Sequence, residues 1–161
     1  MDGLAKDFLE RAAEYLQKDF MPKIRHCLDL LSEEEFWRCG SAAENSVGNL
    51  ILHLSGNVRQ WIIAGMGGAE DKRDRPREFS TRSGISKQEA MTGLERTVEE
   101  AISVLKALPV EELFSERTIQ KYRKTGLGAI FHVVEHFAYH TGQIVFATKM
   151  FSQTDLKFYN L

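Results

Sequence analysis

The spacing of apolar residues along this chain is the feature that most limits its fold. Over residues 4–31, apolar side chains recur in steps of three and four, from Leu4 and Phe8 to Leu28 and Leu31. This period matches the turn of an α-helix and predicts a helix with one buried face. Pro22 lies inside the segment and is expected to bend or split that helix.

Three further segments show the same helical period. One runs from the candidate N-caps Asn45 or Ser46 to residue 63. The second begins at a capping box of Ser86 and Glu89 and runs to residue 108, and the third, residues 126–150, follows the candidate cap Thr125. Four long helices in one chain predict an all-α fold, a four-helix bundle. A length of 161 residues is that of one domain, so we expect residues 1–161 to form a single bundle.

The connections between these helices differ in character. Ser32 and Glu35 have the spacing of a capping box, which predicts a short helix or turn after the first long helix. Residues 69–84 are charged, show no apolar period and are expected to form an exposed loop. Residues 115–123 are predicted to form a short extended piece.

Charge and hydropathy exclude several classes of protein. The net charge is −2 with acids and bases interspersed, which does not suit a nucleic-acid-binding surface. No apolar run approaches the roughly 18 residues of a membrane span, and the N-terminus lacks a secretory layout. Cys27 and Cys39 form no CxxC motif. We therefore expect a cytoplasmic protein with no membrane partner and with structural thiols.

Three of the five histidines, His132, His136 and His140, lie four residues apart in the last predicted helix. A step of four returns to nearly the same helix face, so the three imidazoles form one stripe. That stripe spans about 12 Å, whereas a metal–nitrogen bond measures only about 2.0–2.1 Å. One ion can therefore be shared by a neighbouring pair, either 132 with 136 or 136 with 140, but not by all three.

A third ligand is available on the second predicted helix. His53 lies among apolar neighbours there, and Asn49 and Asn57 flank it at the same spacing of four. Polar groups on a buried helix need partners. Facing this stripe toward the histidines of the last helix would supply them. The alternative is a plain bundle whose histidines hydrogen-bond one another.

Other metal-site templates are missing from the sequence. No HExxH motif occurs, which excludes the usual metalloprotease arrangement, and no Glu-x-x-His occurs for a di-iron bundle. A shell of histidines favours zinc or nickel, and iron, cobalt, manganese and copper are also compatible with it.

Two segments together, NSVGNLILHLSGNVRQW (45–61) and HVVEHFAYHTGQI (132–144), resemble the DinB/YfiT-like superfamily of metal-dependent enzymes. The resemblance extends over nearly the whole chain. It implies an up-down-down-up four-helix bundle, often a homodimer, with a metal at one end of the helix core. It also places the three metal ligands on His53, His136 and His140, and leaves His132 one turn away beside the ligands or facing substrate.

Superfamily members with an assigned activity resemble transferases or isomerases that use a small cellular thiol. We therefore expect a metal-dependent transferase that uses a low-molecular-weight thiol, or a hydrolase, acting on a small molecule. Three neutral imidazoles leave an ion with open positions, which is typical of catalytic sites. A non-catalytic bundle, in which the metal is structural, stored or sensed, is the alternative.

Several other residues are candidates for roles at the site. Asn49, Asn57 and Gln143 are expected to hydrogen-bond around the ligands, since ligating histidines usually donate their second ring N–H. Glu135 and His132 are the candidate catalytic residues. Glu135 is adjacent to a ligand in sequence but about 100° round the helix, so its side chain is expected to face away from the ion.

Overall fold

Four long helical stretches make up the fold in the computed structural model, which describes residues 2–158. The first comprises α1 (Asp2–Glu14), a π-helical segment (Tyr15–Phe20) and α2 (Met21–Leu30). The second is α4 (Val47–Val58) with a π-helical extension (Arg59–Ala64), the third is α6 (Lys87–Ala107) and the fourth is α7 (Gly126–Ser152). The predicted all-α bundle is confirmed, although the single-domain boundaries at residues 1 and 159–161 lie outside the described residues.

Shorter elements join these four. They are α3 (Glu33–Trp37), α5 (Arg75–Ser80), a 3₁₀ turn (Val110–Leu113) and an antiparallel hairpin of β1 (Glu116–Ile119) and β2 (Tyr122–Thr125). None of the helices in the described range is long and apolar enough to cross a membrane.

Contacts between side chains fix the directions of the four long stretches. The first stretch is antiparallel to α6, since Lys87 at the start of α6 bonds to the carbonyl of Leu28 near the end of α2, and Arg25 pairs with Glu95. It is parallel to α7, since Phe20 stacks on Phe137 and, further along both helices, Cys27 hydrogen-bonds to Thr148. 

The second stretch runs parallel to α6 and antiparallel to α7. Ser55 bonds to Thr97 and Arg59 to Glu100, so α4 and α6 advance together. His53 meets His136 and Asn57 meets His132, so α4 and α7 advance in opposite directions. The bundle is therefore up-down-down-up, as the resemblance implied.

The helix starts follow the predicted caps. Ser32, Ser46 and Ser86 each form a complete capping box, and Thr125 accepts a hydrogen bond from the backbone N–H of Gly128. Between Asn45 and Ser46, it is Ser46 that caps the second helix. Each such cap contributes about 1 kcal/mol by satisfying an N–H that the helix leaves free.

Pro22 neither ends nor splits the first helix. The π-helical segment Tyr15–Phe20 comes directly before α2, and Pro22 occupies one of the first two positions of α2. A proline has no N–H to donate, so the ordinary hydrogen-bond ladder must change near it. The wider turn takes up that change while the chain stays helical from residue 2 to 30.

The prediction that residues 69–84 form only an exposed loop is wrong. They include α5, whose N-terminus is capped by Asp74, and Glu78 within it is buried. A charged segment was expected to stay in water, but Glu78 and Arg73 pair with each other and so become able to leave it. The extended piece near 115–123 is present as β1, and its partner strand β2 was not predicted.

Gly56 allows the segment that contains Arg73 and Glu78 to pack closely against α4. A Cβ atom at Gly56 would lie 1.9 Å from Glu78 Oε1 and 2.9 Å from Arg73 Nε, so no other residue fits beneath that pair without moving it. Gly93 on α6 is the opposite case, because a Cβ there would meet nothing within 4 Å.

We predict that Gly56→Ala destabilises the protein and Gly93→Ala stabilises it. Alanine in a helix is favoured over glycine by about 1 kcal/mol, and only at Gly93 is that gain free of a steric cost. Urea-induced unfolding of both variants measures the difference. A Gly56→Ala protein at least as stable as Gly93→Ala would show that α5 does not pack here as described.

Candidate metal centre

The crossing of α4 and α7 brings three histidines together. His53 comes from α4, and His136 and His140 come from successive turns of α7. One ring nitrogen from each lies within 4.8 Å of the other two, and the Nε2 atoms of His53 and His136 are 2.9 Å apart. Within residues 2–158 this is the one group of His, Cys, Asp and Glu side chains with that geometry.

The spacing of these nitrogens fits a metal ion. Two nitrogens bound to one ion at about 2.0–2.1 Å lie about 2.9–3.4 Å apart, for ligand angles between octahedral and tetrahedral. His53 and His136 already have that spacing. His140 offers a nitrogen within 4.8 Å of both, and three histidines form a usual ligand set for zinc and other first-row ions.

His53 is held in one tautomer by a buried carboxylate. Its Nδ1 lies 2.8 Å from Glu78 Oε2. The ionised carboxylate can only accept, so the contact assigns the proton to Nδ1, although Arg73 Nη2 also lies 3.1 Å from this nitrogen. The lone pair of His53 Nε2 then faces the other histidines and, without an ion, accepts a hydrogen bond from His136 Nε2 at 2.9 Å. This carboxylate–histidine arrangement is typical of metal ligands.

Arg73 holds Glu78 in place against His53. Its guanidinium donates from Nε to Glu78 Oε1 at 2.6 Å and from the second terminal nitrogen to Oε2 at 2.8 Å. The Arg73 side chain is only 6% exposed, and it also donates to the side-chain oxygen Oε1 of Gln60. Burial raises the pKa of Glu78, but hydrogen bonds from Arg73 and His53 outweigh that effect and leave the pKa below its ordinary value.

His140 is oriented by a residue of its own helix. Gln143 Oε1 lies 2.7 Å from His140 Nδ1, so this nitrogen donates and Nε2 is left with a lone pair. Gln143 therefore occupies the place expected of a residue that hydrogen-bonds to a ligand.

The surroundings favour neutral imidazoles. Burial, followed by the proximity of His140 and His53, lowers the pKa of His136 to about 3. Burial also lowers the pKa of His140, against a hydrogen bond to Gln143 that raises it. Because only a neutral imidazole binds a metal, these two ligands are ready at neutral pH.

His132 lies one turn from the cluster, in partly buried surroundings. Its Nε2 is 3.5 Å from Asn57 Nδ2, and its ring centroid is 4.5 Å from that of Trp61. Burial lowers its pKa, and the charge of exposed Glu135 acts in the opposite direction. Thus Glu135 lies near His132 but presents its side chain to solvent.

The two asparagines that flank His53 serve different neighbours. Asn49 donates to the backbone carbonyls of Glu78 and Thr81 at 2.8 Å, so it anchors α5 and does not contact the imidazole. Asn57 is 4% exposed, faces His132, and its Oδ1 has no hydrogen-bond partner among the described residues.

The sequence did not point to Glu78 or Arg73. Both lie in a charged segment without apolar period, where solvation is the expected state of each side chain taken singly. The available signal was indirect: a histidine ligand needs an acceptor for its second nitrogen, and nearby asparagines are weaker acceptors than a carboxylate.

A cavity of about 540 Å³ opens beside the cluster. His53, His132 and His136 form one side of it, and Asn57 and Trp61 form the adjoining wall. Its volume lies within the range of sites that bind small molecules.

Two solved structures are similar to this chain throughout its length. A DinB-like protein from Bacillus subtilis has a TM-score of 0.70 at 15% identity, covering 93% of this chain and 97% of its own. A conserved protein from Enterococcus faecalis has a TM-score of 0.67 at 16% identity, covering 96% and 98%. At these identities the fold is what is shared, and it is DinB-like, as the sequence resemblance predicted.

No curated protein matches the sequence significantly. The sequence model of the DUF1572 family, described as a protein of unknown function, matches residues 3–161. With this match over nearly its whole length, the chain belongs to the DUF1572 family.

Proposed function

We propose that this protein is a metal-dependent enzyme whose divalent cation is held by His53, His136 and His140. The observation that carries the proposal is the convergence of three ring nitrogens within 4.8 Å beside an open cavity. A structural zinc site is usually closed by four protein ligands, whereas catalytic sites have three and keep a position open.

When bound, such a cation lowers the pKa of a water or a small thiol at its open position. This supports a thiol-dependent transferase or a hydrolase acting on a small molecule. Zinc and nickel are the favoured ions, with iron, cobalt, manganese and copper also compatible with the ligands.

The other side chains at the site have separate tasks in this proposal. Glu78 keeps His53 in the tautomer that offers Nε2, and Gln143 does the same for His140. His132, with its lowered pKa, is neutral at pH 7 and lies against the cavity, where it accepts a proton from substrate. Glu135, exposed near His132, is the second candidate for proton transfer.

A metal that only joins α4 to α7, or is stored or sensed, is the alternative. Thermal unfolding with and without a chelator separates the two roles, because a structural ion contributes its binding free energy to folding. Loss of folding on chelation favours the structural role. A small shift, with turnover of an electrophile in the presence of thiol, favours the enzyme. A homodimer and a cytoplasmic location remain predictions.

The three ligands are tested by single substitutions. We predict that His53→Ala, His136→Ala and His140→Ala each reduce the metal content of purified protein to background, measured by elemental analysis. His26→Ala is the matched control, since His26 is exposed and packs against Phe158, away from the cluster. Full metal content in His136→Ala would contradict the assignment.

Glu78 is tested by removing its charge while keeping its shape. We predict that Glu78→Gln weakens metal affinity by about 10–100-fold, as substitutions of residues bonded to metal ligands do. The measurement is a competition titration against a chromogenic chelator. Glu70→Gln, on an exposed residue of the same segment paired with Lys72, should leave affinity unchanged. Equal affinities in the two variants would remove Glu78 from the site.

The lowered pKa of His136 predicts a pH dependence of the metal-free protein. The unfolded imidazole takes up a proton near pH 6.5, whereas the folded one does so only at about 3. Stability is therefore complete above pH 6.5 and falls as the pH drops, by about 1.4 kcal/mol per pH unit for this residue.

The free energy of urea-induced unfolding is measured in the presence of a chelator at a series of pH values between about 3 and 6.5. His136→Gln should have a slope shallower than wild type by about that amount. Gly93→Ala should change the free energy of unfolding but not the slope. If His136→Gln keeps the wild-type slope, the imidazole is not neutral in the folded cluster.

A further inference from the structure

The cavity beside the cluster has a cationic rim whose charges form no ion pair in the described part of the chain. Arg75 from α5 and Lys121 and Lys124 from the hairpin all line the cavity. Within residues 2–158 none of the three forms an ion pair, and all are exposed. Arg73, which also lines the cavity, differs because Glu78 neutralises its charge.

This concentration of positive charge is local. The whole chain carries a net charge of −2, yet no Asp or Glu side chain lines the cavity in the described part of the chain. Elsewhere on the surface, cations pair with acids, as Arg59 does with Glu100 and Lys18 with Glu14. A concave surface with charges of one sign focuses its field on the space within it.

We propose that this cavity binds the carboxylate or phosphate group of a small substrate between Arg75 and the hairpin lysines. The inference rests on the proposed function, since the same cavity reaches His53 and His136, and it adds the substrate class. The reacting end of the molecule would lie at the histidines and the anionic end at the rim.

Two cations at the rim are positioned by aromatic rings. The Arg75 guanidinium lies 5.0 Å from the centre of the Phe79 ring, and Lys121 Nζ lies 5.8 Å from that of Tyr122. Such contacts restrict long side chains without neutralising them. The charges therefore stay available to an anion.

Asn57 indicates that the substrate carries a hydrogen-bond donor between its reacting end and its anionic end. Asn57 lines the cavity, and its buried Oδ1 accepts no hydrogen bond within residues 2–158. A buried acceptor without a donor costs about 1–3 kcal/mol. A hydroxyl, amine or amide N–H of the substrate would satisfy it, while Trp61 stacked against Tyr122 provides an apolar wall.

The anion site is tested first on metal-free protein, so that its outcome does not depend on the metal. The probes are succinate, inorganic phosphate and the neutral diamide succinamide, followed by NMR on the indole N–H signals. Trp61 lines the cavity, and Trp37, whose Nε1 donates to the Ile85 carbonyl, serves as the internal reference.

We expect succinate or phosphate, but not succinamide, to shift the Trp61 signal and leave that of Trp37 in place. The triple variant Arg75→Gln, Lys121→Gln, Lys124→Gln should bind the anion about tenfold more weakly. The control Lys6→Gln, Arg96→Gln, Lys149→Gln removes the same charge from exposed sites outside the cavity and should bind as wild type does. Equal weakening in both triple variants, or equal binding of succinamide, would overturn the proposal.

A second experiment tests whether one molecule binds to both the metal and the cationic rim. Cobalt-loaded protein is titrated with 3-mercaptopropionate and with neutral 2-mercaptoethanol, following thiolate-to-cobalt absorption. The anionic thiol should bind more tightly, and the rim variant should lose that preference while keeping its cobalt. A preference unchanged in the rim variant would contradict the inference. Failure to bind cobalt would instead refute the proposed function, while the metal-free experiment would still decide the anion site.

Discussion

The antiparallel crossing of α4 and α7 is the contact on which the site depends. It sets His53 against His136 with their Nε2 atoms 2.9 Å apart, and the opposite directions of the helices bring Asn57 to His132 one turn further on. Polar groups at the centre of a bundle are costly unless they are partnered. Here His53 and His136 are partnered across the two helices, whereas Asn57 Oδ1 is left without a partner within residues 2–158. The contacts His53–His136 and Asn57–His132 fix the alignment of the two helices.

The buried Arg73–Glu78 pair extends this register to a third element. A charge pair taken out of water contributes little net stability by itself, yet losing one partner leaves the other uncompensated. The pair packs directly against Gly56 of α4. Asn49 of the same helix donates hydrogen bonds to the backbone carbonyls of Glu78 and Thr81. As a result, the segment that was expected to be a solvated loop is bound to α4 at several points, and the tautomer of His53 depends on it.

Periodicity and caps predicted most of the fold, because the signals for a helix lie within a few neighbouring residues. Ser32, Ser46 and Ser86, for example, cap helices at the predicted positions. The convergence of His53 with His136 and His140 followed from spacing together with family resemblance. Glu78 did not, because it reaches His53 from 25 residues away and its burial depends on Arg73. The side chain of Asn49 was on the expected helix, but backbone carbonyls that no sequence pattern reveals compete for it.

The π-helical extension of α4 has a consequence for how the cavity is assembled. Gln60 and Trp61 within Arg59–Ala64 are both buried, yet Gln60 turns to Arg73 and Asp71 while Trp61 turns to His132. A widened turn carries one more residue than an α-turn, and every later side chain is rotated by about 100°. Removing a single residue before Trp61 would therefore give a more regular helix whose tryptophan no longer faces His132, and the wall of the cavity would be lost with it.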